Sequence, residues 1–146
     1  TYGKYGRLYN WLGTEVVDTV LSNDTRLHTL GWHVPTKADY ETLMDNGSGD
    51  MEAFGAKLKY LNGWRYDYNG NDELGFSALP TGTYSAYDRE PDAPGMRTQF
   101  WTMTRRENQT NRAYNFEVSY YTPVPLVISN EYLVKFMFIR LVRTVS

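Results

Sequence analysis

The strong helix signals in this chain fall before residue 60, and everything after Gly63 is turn chemistry and short apolar runs. In "GWHVPTKADYETLMDNG", Thr36 suits a helix N-cap and Asp39 stands three residues on. Tyr40, Leu43 and Met44 follow at helical spacing, and Gly47 would end the helix. A second short helix is expected over Met51–Leu58, with Phe54 and Leu58 one turn apart. Ahead of both, "KYGRLYNWL" (Lys4 to Leu12) alternates apolar with polar residues and predicts a first strand, while Asn23 to Thr29 predicts a loop. Beyond Gly63 come the polar loop "GWRYDYNGNDELG", a proline-broken strand in "FSALPTGTY" and a loop in "AYDREPDAPG". Three strand candidates follow, at Gln99 to Thr104, Arg112 to Tyr120 and Glu131 to Val145. Helices early and strands late argue for an α+β fold, two helices with a small antiparallel sheet and long loops, and against a parallel βαβ sheet.

A length of 146 residues supports one domain, residues 1–146, and is too short for two comfortable cores. The chain opens at "TYGKYGRLYNW" without methionine or a visible signal peptide, so it is expected to be excised from, or the C-terminal part of, a longer protein. A net charge of −2 gives no basic surface for nucleic acid. The absence of cysteine removes disulfides, thiolate metal sites and a cysteine nucleophile together. No apolar run approaches the roughly 18 residues needed to span a bilayer, so no membrane insertion is expected. Aromatics make up 16% of the chain, 13 of them tyrosines. Most such rings fill cores, but tyrosine is also the side chain that recognition surfaces favour.

Five segments, "YGRLYNW", "GWHVPT", "GFSALPTG", "FWTMT" and "FIRLVR", occur in an order and spacing that resembles the Fibrobacter succinogenes major paralogous domain family. That family is similar to the formylglycine-generating-enzyme branch of C-type-lectin-like folds. The resemblance covers Tyr5 to Arg143. It implies a C-type-lectin-like domain with paired N- and C-terminal strands, two helices, and a loop-rich half presenting a binding surface.

The candidate chemistry is thin. The enzyme branch of the fold uses cysteines for copper-dependent oxidation, and this chain has none, so the resemblance does not imply that activity. There is no serine-nucleophile motif, no HExxH and no phosphate loop, and the chain is not expected to be an enzyme. His33 in "GWHVP" is expected to be a buried, hydrogen-bonded framework histidine. Asp67, Asn69 and Asn71 imitate a calcium loop, but Asp72 stands where glycine is needed and Ala78 where the closing glutamate is needed, which leaves a polar turn. The triplet Glu90-Pro91-Asp92 resembles the calcium-binding triplet of sugar-binding C-type lectins. The following strand offers Thr102 and Met103 where the partner ligands would stand. No metal and no cofactor are therefore expected, and chelation is expected to leave folding unchanged.

The informative stretch is "SYYTPVPLVISNEYLVKFMF", Ser119 to Phe138. Where the resembling family is rich in small polar residues, this chain has Arg105, Arg106 and a dense aromatic and aliphatic run, while Trp101, Arg112, Ala113 and Ile139 to Val142 keep the family pattern. Some C-type-lectin-like proteins are diversified by retroelements that mutate adenines in a C-terminal region, and the departures here resemble such a hypervariable surface on a kept scaffold. Tyr120, Tyr121, Leu126, Ile128, Tyr132, Phe136 and Phe138, with Arg105 and Arg106, are accordingly expected largely on one exposed face. Met103 and Tyr114 complete the candidate ligand-binding set. Phe136 and Phe138 read equally well as core, and Pro123 and Pro125 as stiffeners of an extended loop. Replacing Tyr121, Leu126 and Tyr132 with Asn is expected to spare stability and abolish binding. The function this implies is a receptor-binding module on a phage tail tip or a bacterial cell-surface adhesin, extracellular and facing a protein receptor in preference to a glycan. Oligomerisation through a parent protein is compatible with it. The alternative is a structural domain of a surface protein, packing through the same apolar patch.

Overall fold

The first helix, α1 (Trp11–Asn23), starts where the Asn10 side chain accepts a hydrogen bond from the Gly13 amide. The computed structural model, which describes residues 5–47, 49–87, 90–121 and 125–145, buries Trp11, Thr14 and Leu21 on one side of it. The strand expected over Lys4–Leu12, of which Lys4 lies outside the described residues, is replaced from Tyr5 on: Tyr9 forms an isolated bridge with Met137, and Trp11 and Leu12 are already helical. Helix α1 carries the β-branched Thr14, Val16, Val17, Thr19 and Val20, which weakens its intrinsic helix preference. It is helical because the cap and the burial of Trp11 outweigh that preference. Leu12, Val16 and Val20, four residues apart, remain exposed along its outer face. The expected loop after Asn23 is also a helix, α2 (Thr25–Thr29), started by the Asp24 carboxylate accepting from the Arg26 and Leu27 amides.

After β1 (Trp32–His33), α3 (Lys37–Asn46) carries the Thr36–Asp39 capping box and ends at Gly47, and α4 (Met51–Leu58) follows behind the cap of Asp50. The fold is thus α+β with four α-helices, not two, and a single 3-10 turn at Arg65–Asp67 among the described residues. Strands β2 (Arg97–Arg105), β3 (Arg112–Ser119) and β4 (Leu126–Tyr132) make an antiparallel sheet in that order, and β5 (Val142–Arg143) pairs with β1. The strand expected over Glu131–Val145 is broken by a turn in which the Lys135 amide donates to the Tyr132 carbonyl at 3.0 Å. Phe136, Met137 and Phe138 then bridge three different partners, Tyr84, Tyr9 and Phe100. Early and late segments are joined by the Tyr9–Met137 bridge and the β1–β5 pair.

Register decides what the sheet buries. Val118 stands opposite Leu126, and Phe116 opposite both Ile128 and Phe100, so alternation puts all five on one face. They pack with Tyr40 of α3 and Phe54 and Leu58 of α4. The Tyr40 ring stacks on Phe116 at 4.3 Å, and burial pushes its phenol far above the usual range. On the opposite face Trp101 and Ala113 lie under Trp11 and Met137. There the Trp11 indole donates to the Thr102 carbonyl and the Trp101 indole to the Tyr9 carbonyl, each at 2.9 Å, which ties α1 to the sheet.

Candidate functional site

The eleven candidate residues do not share a face. Leu126 is 2% exposed and Phe138 9%: the first is directed by its pairing with Val118 toward α4, and the second packs its ring 6.4 Å from Phe100. Ile128 is half-buried against the same core, and Met103 against the Trp11–Trp101 cluster. Pro125 does not stiffen an exposed loop. It is buried against Gly55 of α4, where an added Cβ would come within 2.6 Å of its ring. Pro123 lies outside the described residues. Phe136 is half-buried and lines a cleft of ≈ 730 Å³ with Leu8, Tyr9 and Tyr84. Arg7 is the charged residue of that lining, so the cleft offers apolar volume without the converging polar groups that mark a ligand site. Arg105 lies over the Trp11 ring at 4.3 Å and 3.5 Å from Glu15, on the α1 side. Tyr114 is half-buried beneath Lys37, whose Nζ is 4.9 Å from the ring.

The remaining candidates divide between the two ends of β3. At its C-terminal end the half-buried Tyr120 ring lies 5.6 Å from Tyr66, 5.7 Å from Tyr68 and 6.5 Å from Tyr121. Tyr66 is 68% exposed and Tyr121 59%. Sequence reasoning missed Tyr66 and Tyr68, which stand in what reads as a polar loop. Three constraints hold that loop against the sheet. The Asn69 Oδ1 accepts the Trp64 amide at 3.0 Å, and the Gly70 amide donates to the Tyr60 carbonyl at 3.0 Å. Gly70 also approaches so closely that a Cβ would strike the Lys59 carbonyl. Tyr66 and Asp67 take left-handed φ values of 56° and 59°, a conformation costing an L-residue about 1–2 kcal/mol. Such outliers cluster where a side chain must be presented. Beneath the rings runs Lys59, its Nζ 5.4 Å from the Trp64 ring and 6.0 Å from Tyr68. Burial lowers its pKa, and it has no ion-pair partner among the described residues.

At the other end, the tip between β2 and β3 brings Arg106 and Arg112 together. Nη1 of Arg106 donates to Asn130 Oδ1 at 2.9 Å, and Nη1 of Arg112 donates to the same oxygen at 3.2 Å. The Arg112 guanidinium stacks on Tyr132 at 3.9 Å. A cleft of ≈ 600 Å³ opens beside them, lined also by Asn108, Gln109 and Asn111. Arg106 and Tyr132 were legible as candidates; Arg112 looked like framework, and Asn130 like an interruption of an apolar run.

The other motifs resolve as scaffold. His33 is half-buried, Nδ1 2.9 Å from the Gly31 carbonyl and Nε2 3.3 Å from Asp39. Partial burial pushes the Asp39 carboxyl up, but hydrogen bonds from Thr36 and His33 outweigh it and hold the group below the usual carboxylate range. Asn71 Oδ1 accepts the Glu73 amide, and Asp92 pairs with Arg97 at 3.1 Å. Among the described residues no three His, Asp or Glu side chains are placed to share a metal ion.

Early helices and a small antiparallel sheet define an α+β domain. The chain belongs to the Fibrobacter succinogenes major domain family, whose model matches residues 1–143. No curated protein and no solved structure matches it.

Proposed function

We propose that the domain is a receptor-binding module and that the tyrosine end of the sheet makes the contact. The observation that carries this is the convergence of Tyr66 and Tyr68 from one loop on Tyr120 and Tyr121 from another. Rigid rings with few rotatable bonds lose little entropy on binding, and aromatic anchors supply most interface energy. An apolar, ring-built patch suits a protein partner better than a simple sugar. On this reading the fold is C-type-lectin-like, supported by the joined early and late segments and the long loops between α4 and β2. The module then works outside the cell, on a bacterial surface or a phage virion. Diversification would act on the exposed Tyr121 and Tyr132 and spare the buried Leu126. A near-duplicate of the coding region beside a reverse transcriptase gene would support that part.

Binding of the fluorescently labelled domain to intact receptor-bearing cells tests the contact. The Tyr66→Ala/Tyr121→Ala double variant is expected to lose binding at an unchanged melting temperature; undiminished binding would contradict the reading. The second reading, a domain packed against a neighbour, now draws its support from α1. Leu12, Val16 and Val20 form an exposed apolar stripe there, whereas Leu126 is spent in the domain's own core.

A further inference from the structure

The arginine end has chemistry that receptor binding by the tyrosine end does not use. Two guanidiniums are held within 3.2 Å of one neutral amide oxygen, and neither pairs with a carboxylate among the described residues. The chain has 17 acidic residues, so a counter-ion was available to selection, yet Asn stands at the meeting point. Two like charges fixed side by side repel each other, and the arrangement persists because Asn130, the Tyr132 stack and the hairpin backbone hold it. Arg112 spends Nη1 on Asn130, and its amide is tied to the Gln109 carbonyl at 3.1 Å. The Arg106 amide donates to the Arg112 carbonyl at 3.0 Å. The charges are thus preorganised beside an open cleft, with guanidinium N–H groups left over to bind an oxyanion in forked geometry.

The lining narrows the class of ligand. Asn108, Gln109 and Asn111 supply amide donors and acceptors, and Tyr132, 45% exposed, supplies one flat ring face. Ring hydroxyls and a C–H face match such a lining, while the apolar side chains flanking an acidic residue in a peptide would find little to pack on. We infer that the cleft between the β2–β3 tip and Tyr132 is a subsite for a carboxylated sugar of the uronic acid type, with Arg106 and Arg112 receiving the carboxylate. This subsite is independent of the tyrosine end and stands or falls without it.

The test is an amide and arginine side-chain NMR titration of the intact domain with D-glucuronate, and separately with D-glucose, inorganic phosphate and a short Asp/Glu peptide. Glucuronate is expected to shift the resonances of residues 106–112 and the two guanidiniums, and glucose, which lacks only the carboxylate, to leave them unmoved at the same concentration. Arg106→Gln is expected to weaken the glucuronate response at least about tenfold. Asn130→Asp supplies the missing counter-ion, so it is expected to raise the melting temperature and abolish the response. The inference is overturned by no response at millimolar glucuronate, by an equal response to glucose, or by an unaltered response in Arg106→Gln. A lower melting temperature in Asn130→Asp overturns the unneutralised pair, and tighter binding of phosphate or of the peptide than of glucuronate overturns the sugar assignment.

Discussion

The two ends of β3 present similar side chains, tyrosine and a cation beside a loop, but they are assembled in opposite ways. The strand is 8 residues long, roughly 26 Å from end to end. At its C-terminal end, rings from two distant loops meet on Tyr120, with Tyr68 also over the buried Lys59, and the backbone is left-handed at Tyr66 and Asp67. At its N-terminal end the parts are local: Arg106, Arg112 and Asn130 come from one hairpin and the neighbouring strand, joined by hydrogen bonds to a single oxygen. Between them Phe116 and Val118 are fully buried. Exposure along this strand is set by what docks on it. Helices α3 and α4 cover its middle and leave both ends open, whatever the residue types.

The largest expected effect comes from breaking the covered middle. Leu126→Asn removes a buried aliphatic chain and buries an amide, and should destabilise the domain by at least about 3 kcal/mol in thermal or denaturant unfolding. The Asn replacement of Tyr121, Leu126 and Tyr132, which looks silent on the sequence alone, should therefore unfold the protein through Leu126. The Tyr121→Asn/Tyr132→Asn pair should not.

Gly70→Ala separates the two ends. Its Cβ strikes the Lys59 carbonyl, so the loop must shift at a cost of about 1–3 kcal/mol. Receptor binding is expected to fall while the glucuronate shifts at residues 106–112 persist. Loss of both in a folded variant would show that the ends are one surface.

Two carboxylates extend the contrast between capped helix and sheet. Asp39 is held below its ordinary pKa, so its stabilising contribution is present above about pH 4 and is lost as pH falls through the folded value. Glu117, on the opposite sheet face beside Gln99, is pushed up by burial, with Arg97 and the 2.9 Å bond from Gln99 only partly offsetting it. Its contribution is present below about pH 4 and is lost as pH rises through the folded value. Asp39→Asn should therefore lower the melting temperature near neutral pH but little at about pH 3, and Glu117→Gln should raise it near neutral pH with no gain at about pH 3. Melting curves at the two pH values check both signs. The smallest effect is that of Tyr121→Ala, whose exposed ring should change stability by no more than about 0.5 kcal/mol.

Much of the scaffold was legible because its signals are local. Thr36 and Asp39 sit three residues apart and cap α3, α4 spans the residues its pattern marks, and β2 and β3 fall on the strand candidates at Gln99 to Thr104 and Arg112 to Tyr120 to within two residues at each end. Helix α1 was not, because the apolar–polar alternation of Lys4 to Leu12 reads as a strand running through Trp11, and the helix depends on the docking of that ring. The tail after Glu131 was not, because Phe136, Met137 and Phe138 each answer to a different partner. The site was half legible. Tyr120, Tyr121, Arg106 and Tyr132 stand out by type, but Tyr66 and Asn130 acquire meaning only from neighbours brought by folding. Leu126 shares the composition of the exposed residues and differs from them only in register.

Hydrogen–deuterium exchange of the domain with and without receptor-bearing membranes tests the central claim most directly. The account predicts added protection at residues 65–71 and 119–121, with little change along α1. Protection confined to α1, centred on Leu12, Val16 and Val20, would contradict it and make the domain a packing element instead.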